Sequence, residues 1–143
     1  MPLIQVTAAQ GMLNKTEQDS LMSRLSNAVL KAEGAPVADK GAQSLVWAYY
    51  DEKPNNAIYV GGINIAEPPI RIDVTTPQGA LHESTRHLLV EEIGQITDEF
   101  VGPFEGRLNH WAMLYEVSEG SWAGGGQVFP LAGIQSAMNI KAA

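Results

Sequence analysis

Apolar and polar positions along this chain follow a grammar that is stated twice. Residues 2–8, Pro-Leu-Ile-Gln-Val-Thr-Ala, read as a short strand that Gly11 breaks. Asn14 with Glu17 three residues later forms a capping box: the Asn side chain accepts from the first unpaired N–H groups and the Glu reaches back. Leu21, Leu25, Ala28, Val29 and Ala32 then recur at i, i+4, i+7, i+8 and i+11, which is one face of a helix. Gly34-Ala35-Pro36 ends that helix, with glycine at C′. Ser44–Tyr50, rich in β-branched and aromatic residues, predicts a second strand. Lys53-Pro54-Asn55-Asn56 is a turn, and Ala57–Val60 returns as a short strand into Gly61-Gly62.

The second half repeats the order. Ile72-Asp73-Val74-Thr75 mirrors Ile4-Gln5-Val6-Thr7, 68 residues earlier. Thr76-Pro77 reads as an N-cap followed by proline at N1. Leu89, Ile93, Ile96 and Phe100 give a second amphipathic face, and Gly102-Pro103 a second stop. Trp111-Ala112 mirrors Trp47-Ala48, and Gly125-Gly126 mirrors Gly61-Gly62. Both pairs lie 64 residues apart, so Trp and the first Gly stand 14 residues apart in each half.

Four landmarks in the same order imply a duplication. The expected architecture is α+β, a single domain over 1–143. Its two tandem β-α-β units cover about 2–62 and 69–128, with a tail over 129–143. Strand-helix-strand order implies parallel pairing within each unit through a right-handed crossover. Two units then give a four-stranded sheet with two helices on one face. The other face needs cover, and oligomerisation is the natural cover. Gly133–Ala143 has a mild helical pattern and is expected to cross to a neighbour.

Composition narrows the function classes. The formal net charge is −7, and the 9 Lys and Arg are scattered singly, so no basic stripe points to nucleic acid. No apolar run approaches the ~18 residues of a membrane span. The first residues, Met1-Pro2-Leu3-Ile4-Gln5, lack a basic n-region and a long apolar run, so no signal peptide is expected and the cytoplasm is the expected compartment. With no Cys there is no thiolate chemistry or disulfide framework, and 3 His make a metal site an unpromising expectation. Ser121–Gly126 is not a phosphate loop, because no Lys or Ser/Thr follows its glycines. His82, Glu83, Arg86 and His87 read as a solvated helix surface.

Pro2 is the position that carries chemistry. Initiator Met is normally removed before a small residue such as proline, which would expose a secondary amine at the start of a strand. An α-amino group titrates near ~7.7–8. Burial in an apolar site disfavours its charged form, and an amine poised near neutrality suits general base catalysis. The ring fixes the direction of the nitrogen. If Met1 stays attached, that nitrogen is an amide and cannot act as a base.

Pro2 opening a strand, the duplicated β-α-β chain, and Gly-Gly closing each unit together resemble the tautomerase superfamily. The first half resembles a 4-oxalocrotonate tautomerase subunit: Pro2-Leu3-Ile4-Gln5, the helix, Asp51-Glu52 and Gly61-Gly62. The fused chain looks closest to the cis-3-chloroacrylic acid dehalogenase group. The most similar segment runs from Tyr50 to Gly62, and the likeness covers about residues 2–130. The resemblance implies a homotrimer, no metal and no organic cofactor, and a small-molecule substrate of the enol, keto or unsaturated carboxylic acid type. It carries over Pro2 as catalytic base. The group's helix histidine falls at Val29, its substrate arginines at Gln78 and Leu81, and its water-activating tyrosine and glutamate at Met113 and Gly124. The arginines of 4-oxalocrotonate tautomerases fall at Met12 and Trp47, and their aromatic wall at Ile58 and Trp122. Substrate contacts are therefore expected from Gln78, Trp111, Met113, Tyr115 and Trp122, with Arg71 as the most plausible carboxylate partner. Three readings follow: a tautomerase-like enzyme on a less acidic or more apolar substrate, a non-catalytic trimeric binding protein on the same scaffold, and, last, a haloacrylate dehalogenase or hydratase.

Overall fold

Leu3–Ala9 (β1) alternates as its sequence does: Ile4, Val6 and Ala8 are fully buried and Gln5 is exposed. This computed structural model describes residues 1–141; Ala142 and Ala143, the end of the expected tail, lie outside the described residues. After β1 come Lys15–Ala32 (α1), Lys40–Ser44 (α2), Trp47–Lys53 (β2), Tyr59–Val60 (β3) and Ile63–Asn64 (β4). The second unit is Ile70–Pro77 (β5), Glu83–Val101 (α3), His110–Val117 (β6), Ala123–Gly124 (β7) and Gln127–Val128 (β8), followed by Leu131–Ala137 (α4).

The main sheet has the order β2-β1-β5-β6. Each unit pairs its two long strands in parallel, Leu3 with Trp47 and Ile70 with His110. The units join through antiparallel β1 and β5, Leu3 opposite Thr75 and Thr7 opposite Arg71. Helices α1 and α3 lie side by side on one face. Leu21, Leu25 and Val29 of α1 and Leu89, Ile93 and Ile96 of α3 bury against Ile4, Val6, Ile72 and Val74. Salt bridges Arg24–Glu99 and Lys31–Glu92 clip the two helices together on their solvent side. The fold class, the four strands and the two helices on one face are as the repeat predicts.

The small elements show what the repeat encodes. The Asn14 capping box forms: Asn14 Oδ1 accepts from Glu17 N–H at 2.9 Å and Glu17 Oε2 from Asn14 N–H at 2.8 Å. Gly61-Gly62 and Gly125-Gly126 are the centres of matching hairpins, β3–β4 and β7–β8. Their φ values of 60°, 78°, 56° and 81° belong to a two-residue turn with φ > 0 at both centres, which side chains other than glycine resist.

Two expectations give way. The second strand begins at Trp47, because 40–44 winds into α2, whose N-cap Asp39 accepts from Ala42 N–H at 2.7 Å. Thr76-Pro77 does not start a helix. Pro77 ends β5 opposite Val117, a strand terminus that tolerates its missing N–H, and α3 starts at Glu83 after His82. The described part of the tail packs on its own chain. Ile134 and Met138 pack onto Leu30, Ala35 and Ala42 of the same chain, and Asn139 Nδ2 donates to Asp39 Oδ1 at 3.0 Å.

The face opposite the helices is bare. Its residues form three rows across the sheet: Trp47-Leu3-Thr75-Tyr115, Tyr49-Gln5-Asp73-Met113 and Asp51-Thr7-Arg71-Trp111. Trp47, Tyr49 and Trp111 stand 60%, 52% and 67% exposed, so these aromatics are not part of the chain's own core. Among the described residues, no helix is long and apolar enough to cross a membrane.

Two substitutions test this core. Leu25→Ala removes a fully buried side chain and is expected to cost about 2–5 kcal/mol, whereas Asn14→Ala, which loses the cap, costs about 1 kcal/mol. Urea unfolding at one fixed protein concentration measures both.

Candidate active site at the amino terminus

Pro2 is buried at the mouth of β1. Its carbonyl accepts from Trp47 N–H at 3.2 Å, and the pairing of Leu3 with Thr75 sets it beside the C-terminal end of β5. Met1 continues the strand into a second apolar cluster. Its side chain packs against the group formed by Leu30, Ala35, Ala42, Ile134 and Met138, which Val46, Trp122, Phe129 and Ile140 also border. Helix α4 thus closes this end of the sheet, and Phe129 N–H, 2.8 Å from the Trp122 carbonyl, ties the hairpin loop to it.

The terminal amine sits inside this cluster. It lies 2.8 Å from Met138 Sδ, to which it donates, and 3.6 Å from Glu33 Oε2. Glu33 is the C-cap of α1, and the positive φ of Gly34 that stops the helix turns its side chain inward, where it is 1% exposed. Neither carboxylate oxygen accepts a hydrogen bond. Burial lowers the amine below its usual value, and Glu33 opposes that. Burial raises the Glu33 carboxyl above the usual carboxylate range, and the amine opposes that in turn. Desolvation therefore brings an amine and a carboxyl toward each other in proton affinity. Such a pair can hold and hand over one proton within an apolar surround.

Glu33 is the residue that sequence reasoning missed. Its one signal is an acidic residue at a helix C-terminus, where the dipole favours a cation. The residues that were expected divide between the two ends of the sheet. Trp122 borders the Met1 cluster, half-buried. Gln78 lies just past β5 at the same end, exposed, with Oε1 accepting from Glu119 N–H at 3.3 Å. Tyr115 shares the row of Leu3 on the bare face, and its hydroxyl donates to Met113 Sδ at 3.5 Å. Met113 sits one row further on.

Arg71 and Trp111 are elsewhere. They share the row of Thr7, five residues along β1 from Pro2, or about 16 Å at a strand's rise of ~3.3 Å per residue. There they line a cavity of about 630 Å³ with Lys53, Tyr59, Arg107 and Leu108. Arg71 is already engaged, with Nη2 2.9 Å from Asp73 Oδ2, and Arg107 lies over the Phe104 ring at 4.2 Å. Within one chain Arg71 is thus not a partner for Pro2. Val29 and Leu81, where the resemblance would place polar catalytic groups, are core residues. Arg86 of the α3 surface pairs with Glu116 at 2.6 Å.

The raised Glu33 carboxyl has a measurable consequence. The folded chain keeps that proton to a higher pH than the unfolded chain does. Glu33 therefore withdraws stability as pH rises above the unfolded carboxyl value and through the folded one. Glu33→Gln lacks this loss. Its stability relative to the parent is expected to increase as pH rises above about 4, as read by urea unfolding across a pH series.

No family model matches the chain, and no curated protein matches it in sequence. Solved structures do match its shape. A wild-type fused 4-oxalocrotonate tautomerase, solved as an asymmetric trimer, superposes with a TM-score of 0.73 at 20% identity over 88% of this chain and 94% of that one. A member of the cis-3-chloroacrylic acid dehalogenase family gives 0.72 at 16% identity, over 94% and 87%. A macrophage migration inhibitory factor from Toxoplasma gondii gives 0.65 at 20% identity, over 89% and 99%. The chain therefore has the fused β-α-β fold of the tautomerase superfamily.

Proposed function

We propose that this chain is a cofactor-free tautomerase-like enzyme in which Pro2, freed by removal of Met1, moves a proton on a small carbonyl compound. The observation that carries this reading is Pro2 itself, buried at the start of β1 with its carbonyl bonded to Trp47 N–H, beside an apolar cluster in which burial lowers the amine of Met1. The step is a simple balance. The Pro2 nitrogen takes a proton from an enol oxygen or from the carbon α to a carbonyl, the electron pair spreads over the O–C–C enolate, and the same proton is returned at the other end of that three-atom unit. Nothing is oxidised and nothing leaves.

A homotrimer completes the reading. Trp47, Tyr49, Trp111 and Tyr115 on the bare sheet face are large, apolar and exposed, as interface anchors are before assembly. The trimeric neighbours support the same closure. The second reading, a non-catalytic trimeric binding protein, has one observation in its favour: the substrate arginines of the dehalogenase group are replaced by exposed Gln78 and core Leu81. A hydratase gains a carboxylate in Glu33, yet the same two replacements leave it without the cations that would hold an unsaturated acid.

Intact mass comes first: loss of Met1 is expected, and complete retention would remove the base. Phenylenolpyruvate ketonisation then compares wild type with Pro2→Ala, and kcat/KM is expected to fall by about 10²-fold or more. Equal rates would take Pro2 out of the mechanism, and rates at background in both would favour the binding protein. Trp111→Glu is expected to shift the protein from trimer to monomer in sedimentation.

A further inference from the structure

We propose that the cavity of about 630 Å³ at the Ile70 end of the sheet is a second binding site, and that its ligand is a small aromatic monocarboxylate. Such a site is independent of Pro2 and of the chemistry proposed there. Its parts come from three places. The sheet end supplies Lys53 of β2, Arg71 of β5 and, opposite Arg71, Trp111 of β6. Hairpin β3–β4 supplies Tyr59, and the loop before β6 supplies Arg107 and Leu108. No amine base stands there. Ile70 holds the place that Pro2 holds in the first unit, and its nitrogen is a chain amide that donates to the Asn109 carbonyl at 2.9 Å. A ligand in this cavity is held, with no proline to turn it over.

Charge selects an anion. The chain carries 16 acidic side chains against 9 Lys and Arg, yet three of those cations line this cavity and no Asp or Glu does. Arg71 is spent on Asp73, with Nε 3.1 Å from Oδ1 and Nη2 2.9 Å from Oδ2. Arg107 is not. Its Nη2 donates to the Glu67 carbonyl, its Nη1 is buried and donates to nothing, and the nearest carboxylate, Glu67 Oε2, is 3.9 Å away and 74% exposed. Lys53 is exposed and pairs with no acid among the described residues. Lys53 and a partly offset Arg107 suit one carboxylate better than the double charge of phosphate. Shape and polarity then set the rest of the ligand. Tyr59, Leu108 and Trp111 stand 60%, 70% and 67% exposed on the walls. Inorganic phosphate would leave them wet, whereas a flat ring system covers them while its carboxylate reaches the cations.

The test is calorimetric titration of 2-naphthoate into the full chain in its assembled form. One equivalent per chain is expected to bind, with a Kd of about 100 µM or tighter. Neutral 2-naphthamide is expected to bind about tenfold or more weakly. Lys53→Gln is expected to weaken naphthoate by about fivefold, and Leu108→Glu, which sets a carboxylate on the wall, to abolish its binding. Both positions are exposed, so both variants are expected to fold, as circular dichroism checks. Trp111 also belongs to the bare sheet face and is left intact. Pro2→Ala is expected to bind naphthoate as wild type does. Absence of binding to wild type overturns the site, and equal binding of acid and amide overturns recognition of the charge. Unchanged affinity in folded Leu108→Glu, or lost affinity in Pro2→Ala, places the ligand elsewhere and overturns the assignment. Displacement of naphthoate by inorganic phosphate at equal concentration overturns the aromatic half of it.

Discussion

The antiparallel pairing of β1 with β5 is the constraint on which the rest depends. Each unit is parallel within itself, and each could close its own helix over its own two strands. Joining them through Leu3–Thr7 and Thr75–Arg71 makes one sheet and one core, with Ile4 and Val6 opposite Val74 and Ile72 under both helices. It also sends the two units in opposite directions. The starts of the units, Pro2 and its duplicate position Ile70, must then lie at opposite ends of the sheet. This is why Arg71 and Trp111 are distant from Pro2, although both sit on the same bare face.

Most of the scaffold was legible because its signals are local. A capping box, an i, i+4 apolar face and a Gly-Gly hairpin each state their conformation within a few residues, and each recurs where the repeat puts it. Errors arose where local chemistry served a different tertiary end. Thr76-Pro77 carries a valid helix-start signature, yet the ladder with β6 extends through it to Val117. Residues 44–46 have strand composition, but Asp39 caps a helical turn that runs through Ser44. The tail reads as amphipathic, and periodicity alone cannot say whether its partner is another chain. Its apolar residues Ile134 and Met138 fill a gap between α2 and Met1 of its own chain.

Of the candidate site, only Pro2 was legible in the sequence, by its position, whereas Glu33 gains meaning from burial, which no spacing rule reports. An acidic residue ahead of a helix-stopping glycine is ordinarily a solvated cap. Here the side chain is 1% exposed, and the cation 3.6 Å from it is the amine of Met1. Desolvation costs both charges, and the cost is tolerable only because the two face each other. The same reasoning explains Met138: a polarisable sulfur can accept from the amine without adding a second full charge to the pocket.

The duplication has therefore kept its backbone and diverged in its electrostatics. At the Ile70 end the cavity is ringed by Lys53, Arg71 and Arg107 with Trp111 and Tyr59 as walls. At the Pro2 end the corresponding space holds one buried carboxylate among Met, Leu and Ile side chains. The buried carboxylate and the arginines are therefore separated in this chain by the length of the central sheet.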